Sequence, residues 1–356
     1  MKKAYIATFC EWTSYGSIMQ SIGLKKALNS MGVKSCIIKD TPCPSENIKI
    51  PLKLSKNPKV MLKNIYNFWI RKRTQKRYNE TIRFIENNVD IEYYDNYQHV
   101  KDNCQGADYY ISGSDQVWHP DKCSPLFFLD FAPTNKKRLS YAVSMGKTEI
   151  SEANKEKFVS LVKAFDAFSV REEEMKPIIE QFTEKPINVN IDPTFLVSKE
   201  EWRALEEPYD IKKPYILVYS LYWDKKYNDD LKRLRKKTGY DIVAICSGLQ
   251  SCYANKRIFD ANPAQFLWLI DNAEAVVTSS FHGVAFSIIF NKKLSAIINP
   301  ASPSRISNLL RCLNVNNASI DEIDKFDINN YCETSRLVAA EKERSITYLK
   351  EILNLE

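Results

Sequence analysis

Glycine and histidine are scarce in this chain of 356 residues, which contains only nine glycines and three histidines. The sequence has no GxGxxG fingerprint, no GxxxxGK[ST] loop, no HExxH helix, no GxSxG elbow and no paired-carboxylate signature. Because each of these patterns carries a specific chemistry, their absence disfavours a dinucleotide-binding enzyme, a kinase, a zinc protease and a serine hydrolase.

Long hydrophobic runs are also missing, and none approaches the length of a membrane-spanning helix. The first residues, MKKAYIATFCEWTSYG, include two lysines, but the apolar part is short and is interrupted by Glu11. That pattern does not have the form of a signal sequence. We therefore expect a cytoplasmic protein.

The nine cysteines are scattered singly, without a CxxC pair. This spacing predicts buried, reduced thiols rather than a disulfide framework or a zinc site, and we expect no bound metal. The net charge of +7 is modest for this length. It is consistent with a small anionic substrate and is too weak to argue for nucleic acid.

Apolar, strand-like runs alternate with helix-like segments along the chain, and the pattern restarts after the charged stretch KEEWRALEEPYDIKKP. Such βαβ units favour parallel sheets. The sequence therefore predicts an α/β protein of two Rossmann-like, doubly wound domains that face a cleft. We place an N-terminal domain at residues 1–205, a C-terminal domain at 206–333, and a C-terminal helix at 334–356 that packs back on the first domain.

One of the three histidines, His282, lies where the run AEAVV changes into the helix-like run VAFSIIF. The turn contains Ser279, Ser280, His282 and Gly283. The free N–H groups of a helix start favour an anion, and Gly283 would let a ligand approach the backbone. A histidine here could bind phosphate or transfer a proton. The alternative is a histidine that only caps its own helix.

A single arginine, Arg171, follows the apolar run FDAFSV and precedes three glutamates. A cation is unfavourable at the start of a helix, so this position needs another explanation. The guanidinium group can hold a carboxylate or a phosphate through two hydrogen bonds. The alternative is an exposed salt bridge to Glu173 or Glu174, which would contribute little.

Two further polar segments follow predicted strands, where open parallel sheets bind their ligands. The segment GSDQVWHP offers an acid, an amide and an indole, a set suited to holding a sugar. Asp115 could deprotonate a hydroxyl group, or it could merely cap its turn. The other segment is SYGSIMQ, residues 14–20, at the first strand-to-helix turn. From the two segments, we predict that Tyr15, Gly16, Ser114, Gln116 and Trp118 bind the acceptor sugar.

The segment FWIRKRTQKR, residues 68–77, combines aromatic and basic residues. It predicts a helix that contacts either a membrane surface through lipid phosphates or only solvent.

In this order and spacing, the segments resemble the polysaccharide pyruvyl transferase family over most of the chain. The matching elements are SYGSIMQSIGLKKAL, GSDQVW, RLSYAVSMG, SVREEE, IDPTFLV, TSSFHGVAFSIIF and SRISNLLRCLNV. The resemblance implies a GT-B-like fold and a cytoplasmic enzyme of cell-surface polysaccharide synthesis. Such an enzyme transfers the enolpyruvyl group of phosphoenolpyruvate to a sugar as a pyruvate ketal, with no metal or other cofactor.

The resemblance also associates Arg171 and His282 with the donor. Many relatives carry an arginine where this chain has Ser280, and Arg305 is our candidate for its replacement. A lipid-linked glycan acceptor would place the enzyme at the inner face of the membrane, in contact through residues 68–77. The alternatives are a GT-B-type glycosyltransferase that uses a nucleotide sugar and a non-catalytic binding module.

Overall fold

The computed structural model of the chain describes residues 2–44, 55, 57–147, 149–212, 214–246, 252–300 and 304–355. Two five-stranded parallel sheets organise these residues into two lobes. Both sheets have the same order of strands: numbered along the chain within each sheet, the strands lie side by side in the order 3-2-1-4-5. The predicted α/β fold with two Rossmann-like sheets is confirmed.

In the first lobe, burial is most complete in the three inner strands of the sheet, whereas the edge strand Ile91–Tyr93 is only partly buried. Its strands are β1 Lys2–Ala7, β2 Val33–Lys39, β3 Ile91–Tyr93, β4 Tyr109–Ser112 and β5 Arg138–Ser140, and a separate parallel pair is β6 Phe168–Val170 and β7 Ile187–Val189. Its helices are α1 Tyr15–Ser30, α2 Pro58–Asn88, α3 Tyr97–Asn103, α4 Glu152–Lys163, α5 Lys176–Ile179 and α6 Lys199–Arg203. The pair β6–β7 adjoins the main sheet through the bridge between Leu139 and Ala167.

The second lobe repeats the pattern, and four of its five strands coincide with the apolar runs YILVYSL, DIVAICS, EAVVTS and KLSAII, which the sequence predicts as strands. Its strands are β8 Tyr215–Tyr219, β9 Asp241–Ile245, β10 Lys256–Ile258, β11 Ala275–Thr278 and β12 Lys293–Ala296. Its helices are α7 Tyr227–Thr238, α8 Pro263–Asp271, α9 Phe281–Ile289, α10 Ser304–Cys312 and α11 Tyr331–Ile352. The strand β10 was not predicted, because it is short, partly charged and lies at the sheet edge.

The two lobes are joined by a shared apolar core and by the C-terminal helix. The Tyr15 ring at the start of α1 stacks on Phe266 of α8, with 4.4 Å between the ring centroids. Helix α11 returns to the first lobe, where the Tyr348 hydroxyl donates a 2.9 Å hydrogen bond to the Ser140 carbonyl. Leu349 and Leu353 of the same chain end are fully buried. The exact domain boundaries stay a prediction.

All nine cysteines lie within the described residues as free thiols, and six of them are buried. Cys43, Cys312 and Cys332 are exposed, so the prediction of burial is wrong for these three. No helix in the described part of the chain is long and apolar enough to cross a membrane.

Parallel strand ends bring the polar tails of the first lobe together. Val143 forms parallel bridges to both Asp115 and Val170. The tail after β4 is therefore held close to the residue that follows β6. This lateral pairing places Asp115 beside Arg171, although 55 residues separate them in the sequence.

Candidate functional site

Arg171 follows β6 directly, and its side chain is 97% buried, with 3% exposed. Its Nε donates a 3.0 Å hydrogen bond to Glu172 and its Nη1 a 2.8 Å hydrogen bond to Oδ2 of Asp192. The predicted alternative, an exposed pair with Glu173 or Glu174, is wrong. Burial alone would lower the pKa of Arg171, but the neighbouring carboxylates raise it above its ordinary value.

One edge of the Arg171 guanidinium is not used within the described part of the chain. Its Nη2 is buried and has no hydrogen-bond partner. The guanidinium carbon lies 4.1 Å from the centroid of the Phe281 ring, at the start of α9 in the other lobe. This cation–π contact fixes the plane of the guanidinium while leaving an N–H edge available for an acceptor.

Asp192 is the central carboxylate of the site, and sequence analysis gave it no role. Its Oδ2 accepts the hydrogen bond from Arg171 and a 3.3 Å hydrogen bond from Ser114 Oγ. Its Oδ1 accepts from the Thr194 backbone at 3.0 Å and the Thr194 hydroxyl at 2.9 Å. Burial would raise the pKa of Asp192, but His282 and Arg171 outweigh it and hold that pKa well below its usual range.

His282, in the first turn of α9, faces the same carboxylate from the second lobe. Its Nε2 lies 3.6 Å from Oδ2 of Asp192 and has no hydrogen-bond partner among the described residues. Arg171 and His282 therefore meet at one carboxylate. The predicted alternative, that the histidine caps its own helix, is wrong: the Ser280 hydroxyl accepts from the Gly283 N–H at 3.4 Å.

A close contact between the lobes sets the position of His282. A Cβ atom added at Gly16, in the first turn of α1, would lie 2.0 Å from Nδ1 of His282 and 2.4 Å from Cγ. No heavy atom can be accommodated at that separation, so the imidazole packs directly against the Gly16 backbone. The predicted role of Gly16 in acceptor binding gives way to this packing role.

The other residues of the α9 turn are engaged within the second lobe. The Ser279 hydroxyl accepts hydrogen bonds from the backbone N–H groups of Leu221 at 2.9 Å and Tyr222 at 2.8 Å. A Cβ at Gly283 would lie 2.3 Å from the Thr278 hydroxyl. This glycine is therefore required by packing against its own strand, which corrects the prediction that it admits a ligand.

Asp115 and Arg305 complete the polar cluster. Oδ1 of Asp115 lies 4.0 Å from Nη2 of Arg171 and 3.9 Å from Nη1 of Arg305, too far for hydrogen bonds. Nε of Arg305 is buried without a partner among the described residues. Burial, and then the charge of Arg171, lower the pKa of Arg305. The guanidinium groups of Arg171 and Arg305 therefore flank Asp115, at distances too long for a hydrogen bond to either of them.

The backbone at Asp115 has a φ of 71°, in the left-handed region. Asp115 Oδ1 also accepts a 2.9 Å hydrogen bond from the Gln116 N–H, the predicted turn-capping alternative. Aspartate tolerates this conformation better than most residues, although it still carries strain. The turn directs the carboxylate towards the two arginines, so capping and site placement occur together.

The two aromatic residues predicted to contact a sugar lie in the core, which corrects that prediction. Trp118 is fully buried, with its ring stacked on Phe128 at 5.3 Å and its indole N–H bonded to the Ser112 hydroxyl. Tyr15 is 2% exposed and donates a hydrogen bond to the Ala261 carbonyl at 2.6 Å. Neither ring has a free face.

The remaining predicted acceptor residues differ in exposure. Ser114 is fully buried, and its hydroxyl donates a 2.9 Å hydrogen bond to the Ala142 carbonyl in addition to the hydrogen bond to Asp192. Gln116 is half-buried and packs against Gly146. A Cβ atom added at Gly146 would lie 2.3 Å from Nε2 of Gln116. Among these residues, Asp115 and Gln116 alone keep partly exposed side chains.

A cavity of about 200 Å³ adjoins the cluster and is lined by residues of both lobes, including Arg171, Arg305 and Phe281. Its lining also contains carboxylates, namely Asp192, Glu172, Glu173 and Glu341, whereas His282 and Asp115 lie beside the cavity and not in its lining. Another cavity, of about 300 Å³, lies between α6, α9 and α11 and contains none of the predicted site residues. The described residues include no group of three or more His, Cys, Asp and Glu side chains arranged to hold a metal ion. At the first cavity, the N–H groups of Arg171 and Arg305 that lack a partner among the described residues are able to bind an anion.

Comparison with known proteins agrees with the resemblance and the fold described above. A family model described as polysaccharide pyruvyl transferase matches residues 15–299. A co-structure of MnaA with UDP from S. aureus has a TM-score of 0.54 at 11% identity, and the match covers 100% of this chain and 98% of that chain. The UDP-GlcNAc 2-epimerase from Methanocaldococcus jannaschii has a TM-score of 0.51 at 12% identity, with 94% and 92% covered. No curated protein sequence matches.

At such low identity, these two structures establish similarity of fold alone. Because both are matched over nearly their whole length, they confirm the two-lobed, GT-B-like architecture.

We predict that Gly16→Ala displaces His282 and destabilises the junction between the lobes. The forced overlap should lower the free energy of unfolding by about 1–3 kcal/mol, the usual range for overpacking. Urea denaturation measures it. Gly106→Ala is the matched control, because an added Cβ there has no neighbour within 4 Å. Equal stabilities of the two variants would contradict the close packing of the imidazole.

A second prediction concerns the pH dependence of stability. Because the folded-state pKa of Asp192 is depressed, its charge contributes stability above the ordinary carboxyl pKa of about 4, and this contribution is lost as the pH falls below that value. Asp192→Asn should therefore cost about 3 kcal/mol at pH 7, as expected for breaking a buried ion pair. The difference from the unmodified protein should shrink by about 1 kcal/mol between pH 5 and pH 3.

Denaturation curves at several pH values measure this difference. The exposed residue Asp210 supplies the control Asp210→Asn, which should leave stability unchanged within about 0.5 kcal/mol. A cost for Asp192→Asn that is the same at pH 3 and pH 7 would rule out a buried, ionised Asp192.

Proposed function

The chain belongs to the polysaccharide pyruvyl transferase family, and from this premise we propose that phosphoenolpyruvate is its donor and a glycan is its acceptor. The reaction we infer moves the enolpyruvyl group of the donor to two hydroxyl groups of one sugar, as a pyruvate ketal. The observation that carries the proposal is that the buried guanidinium group of Arg171 and the partly exposed one of Arg305 line a single cavity, and that each has a buried N–H group without a partner among the described residues.

The unpartnered N–H groups of the cluster support an anionic donor. Nη2 of Arg171 and Nε of Arg305 both lack an acceptor within the described residues. A buried cationic donor without a partner is costly, and a phosphate or carboxylate oxygen would satisfy it. Phosphoenolpyruvate carries both groups, so we assign Arg171 and Arg305 to the donor. Ser280, where many relatives carry arginine, is occupied as the cap of α9.

The proposed chemistry needs one acid and one base. A proton added to the methylene carbon of the donor makes it a methyl group and leaves an oxocarbenium-like centre at the neighbouring carbon. One sugar hydroxyl adds to that carbon and loses its proton, then the second displaces inorganic phosphate and loses its own. We assign His282 as the acid and Asp115 as the base that orients and deprotonates the acceptor.

The positions of these two groups suit their proposed roles. Nε2 of His282 is free of hydrogen bonds within the described chain and lies beside a carboxylate that also holds Arg171. Asp115 is partly exposed and lies next to both arginines. We place the acceptor on the side of Asp115 and Gln116. A lipid-linked glycan and a cytoplasmic location at the inner face of a membrane belong to the same proposal.

Phosphate release tests the proposal directly. The purified protein is incubated with phosphoenolpyruvate and a panel of free and lipid-linked glycans, and we expect phosphate only when both substrates are present. The competing function, transfer from a nucleotide sugar on the same fold, is tested by thermal denaturation. Stabilisation by phosphoenolpyruvate is expected because a ligand that binds the folded state raises its stability. Stabilisation by nucleotide sugars alone would support the competing function.

We predict that Arg171→Lys and His282→Ala separate donor binding from proton transfer. Lysine keeps the charge but loses the guanidinium fork, so the KM for phosphoenolpyruvate should rise by about tenfold or more. His282→Ala should mainly lower kcat, by about 10²–10⁴, the usual cost of removing a proton-transfer group. Both are measured by steady-state phosphate release.

Arg203→Lys is a matched control for the loss of a guanidinium fork. Arg203 holds Asp271 through two hydrogen bonds of 2.7 and 3.1 Å, away from the cavity. Its substitution should leave the KM for phosphoenolpyruvate unchanged. An unaltered donor KM in Arg171→Lys would remove Arg171 from the donor site, and a kcat of His282→Ala within a few-fold of the unmodified enzyme would exclude His282 as the acid.

A further inference from the structure

The N-terminal half of α2 carries an exposed apolar stripe, which consists of Leu62, Ile65 and Trp69. Their exposed fractions are 68%, 36% and 63%. Spacings of three and four residues place them on one face of the helix. With Val60, they make up four of the six exposed large hydrophobic residues in the described parts of the chain. Single exposed hydrophobic residues are ordinary, but a contiguous stripe marks an interaction surface.

The C-terminal half of the same helix is anchored in the first lobe. Tyr78, Ile82 and Ile85 are each less than 5% exposed. The α2 helix is therefore one 31-residue element with a buried half that holds it and an exposed half that presents the stripe. This division of the helix explains how an apolar surface is kept in place without a covering element among the described residues.

Positive charge adjoins the stripe. Residues 58–79 contain seven lysines and arginines and no acidic residue. Arg71, Lys72 and Arg73 are exposed one turn beyond Trp69. The Lys72 ammonium lies 5.8 Å from the centroid of the Trp69 ring and 5.2 Å from that of Phe68. An amphipathic aromatic ring beside basic side chains is the arrangement found at the boundary between lipid headgroups and acyl chains.

We propose that the α2 apolar stripe inserts into the headgroup region of a membrane that contains anionic lipids, with Arg71, Lys72 and Arg73 bound to lipid phosphates. The uninterrupted positive charge selects an anionic bilayer over an apolar protein partner, because each basic residue near such a surface adds to binding. The contact begins at Leu62, so it lies further towards the N-terminus of the helix than residues 68–77, which the sequence predicted.

The membrane contact does not depend on the proposed function; only its consequence for the presentation of a lipid-linked acceptor does. Arg77, at the buried end of the basic segment, lies with its guanidinium carbon 4.7 Å from the Tyr15 ring, at the junction of the lobes. At 1.5 Å per residue, the helix places Trp69 about 12 Å from Arg77 along its axis. A glycan held by a lipid in the bilayer would thus be presented close to the lobe junction.

Co-sedimentation with vesicles tests the proposal without any enzymatic readout. We expect the full chain to sediment with vesicles of phosphatidylcholine and phosphatidylglycerol, but weakly with phosphatidylcholine alone, and to lose part of this binding in high salt. Arg71→Gln and Arg73→Gln should each reduce partitioning by about fivefold. Leu62→Ser with Trp69→Ser should reduce it further at every salt concentration, because the loss of apolar insertion is not screened.

Ile328→Ser is the matched control, since Ile328 is 48% exposed but lies in the second lobe. It should sediment like the unmodified chain. Brominated lipids should quench part of the tryptophan fluorescence of the unmodified chain. This quenching should be lost in Trp69→Phe, because Trp69 is the tryptophan that enters the bilayer. Vesicle binding that is unaffected by the α2 substitutions would overturn the proposal. Self-association of the chain that is seen by analytical ultracentrifugation and is lost with the α2 substitutions would also overturn it. Phosphate release without vesicle binding would refute the membrane contact while leaving the proposed function intact.

Discussion

The buried carboxylate of Asp192 is the interaction on which the site depends. It receives hydrogen bonds from Arg171, Ser114 and Thr194 and lies 3.6 Å from Nε2 of His282. A carboxylate removed from water must be compensated by charge and by hydrogen bonds, and here cationic and polar groups surround it. The hydrogen bonds to this carboxylate all come from the first lobe, and His282 of the second lobe faces it. Arg171 is held with one edge towards Asp192 and another edge free.

The fold makes this meeting possible because both sheets use the same order of strands, and because residues that follow strands of both lobes come together, as expected at the carboxyl ends of parallel strands. Arg171 follows a strand of the first lobe, whereas His282 begins a helix after a strand of the second. The remaining requirement is close approach, which Gly16 provides by leaving room for the imidazole. The cation–π contact between Arg171 and Phe281 adds an attractive link across the same boundary.

Much of this architecture follows from sequence patterns, because strand-like runs and the polar residues after them are local features. The runs around β1, β4, β8 and β11 predicted the sheets, and the polar residues after the runs of β6 and β11 pointed to Arg171 and His282. The role of Asp192 was not predictable in the same way, since it depends on which tails become neighbours across the sheet. Trp118 was misassigned because its local segment is polar, whereas its burial comes from contacts with the distant residues Phe128 and Phe165.

A crystal structure of the protein with bound phosphoenolpyruvate tests the central claim most directly, namely that groups from both lobes bind one anion. The account predicts donor oxygens within hydrogen-bond distance of Nη2 of Arg171 and Nε of Arg305, with His282 close to the methylene carbon and Asp192 still bound to Arg171. Donor density in another cavity, or an Arg171 side chain that makes no contact with the bound donor, would contradict it.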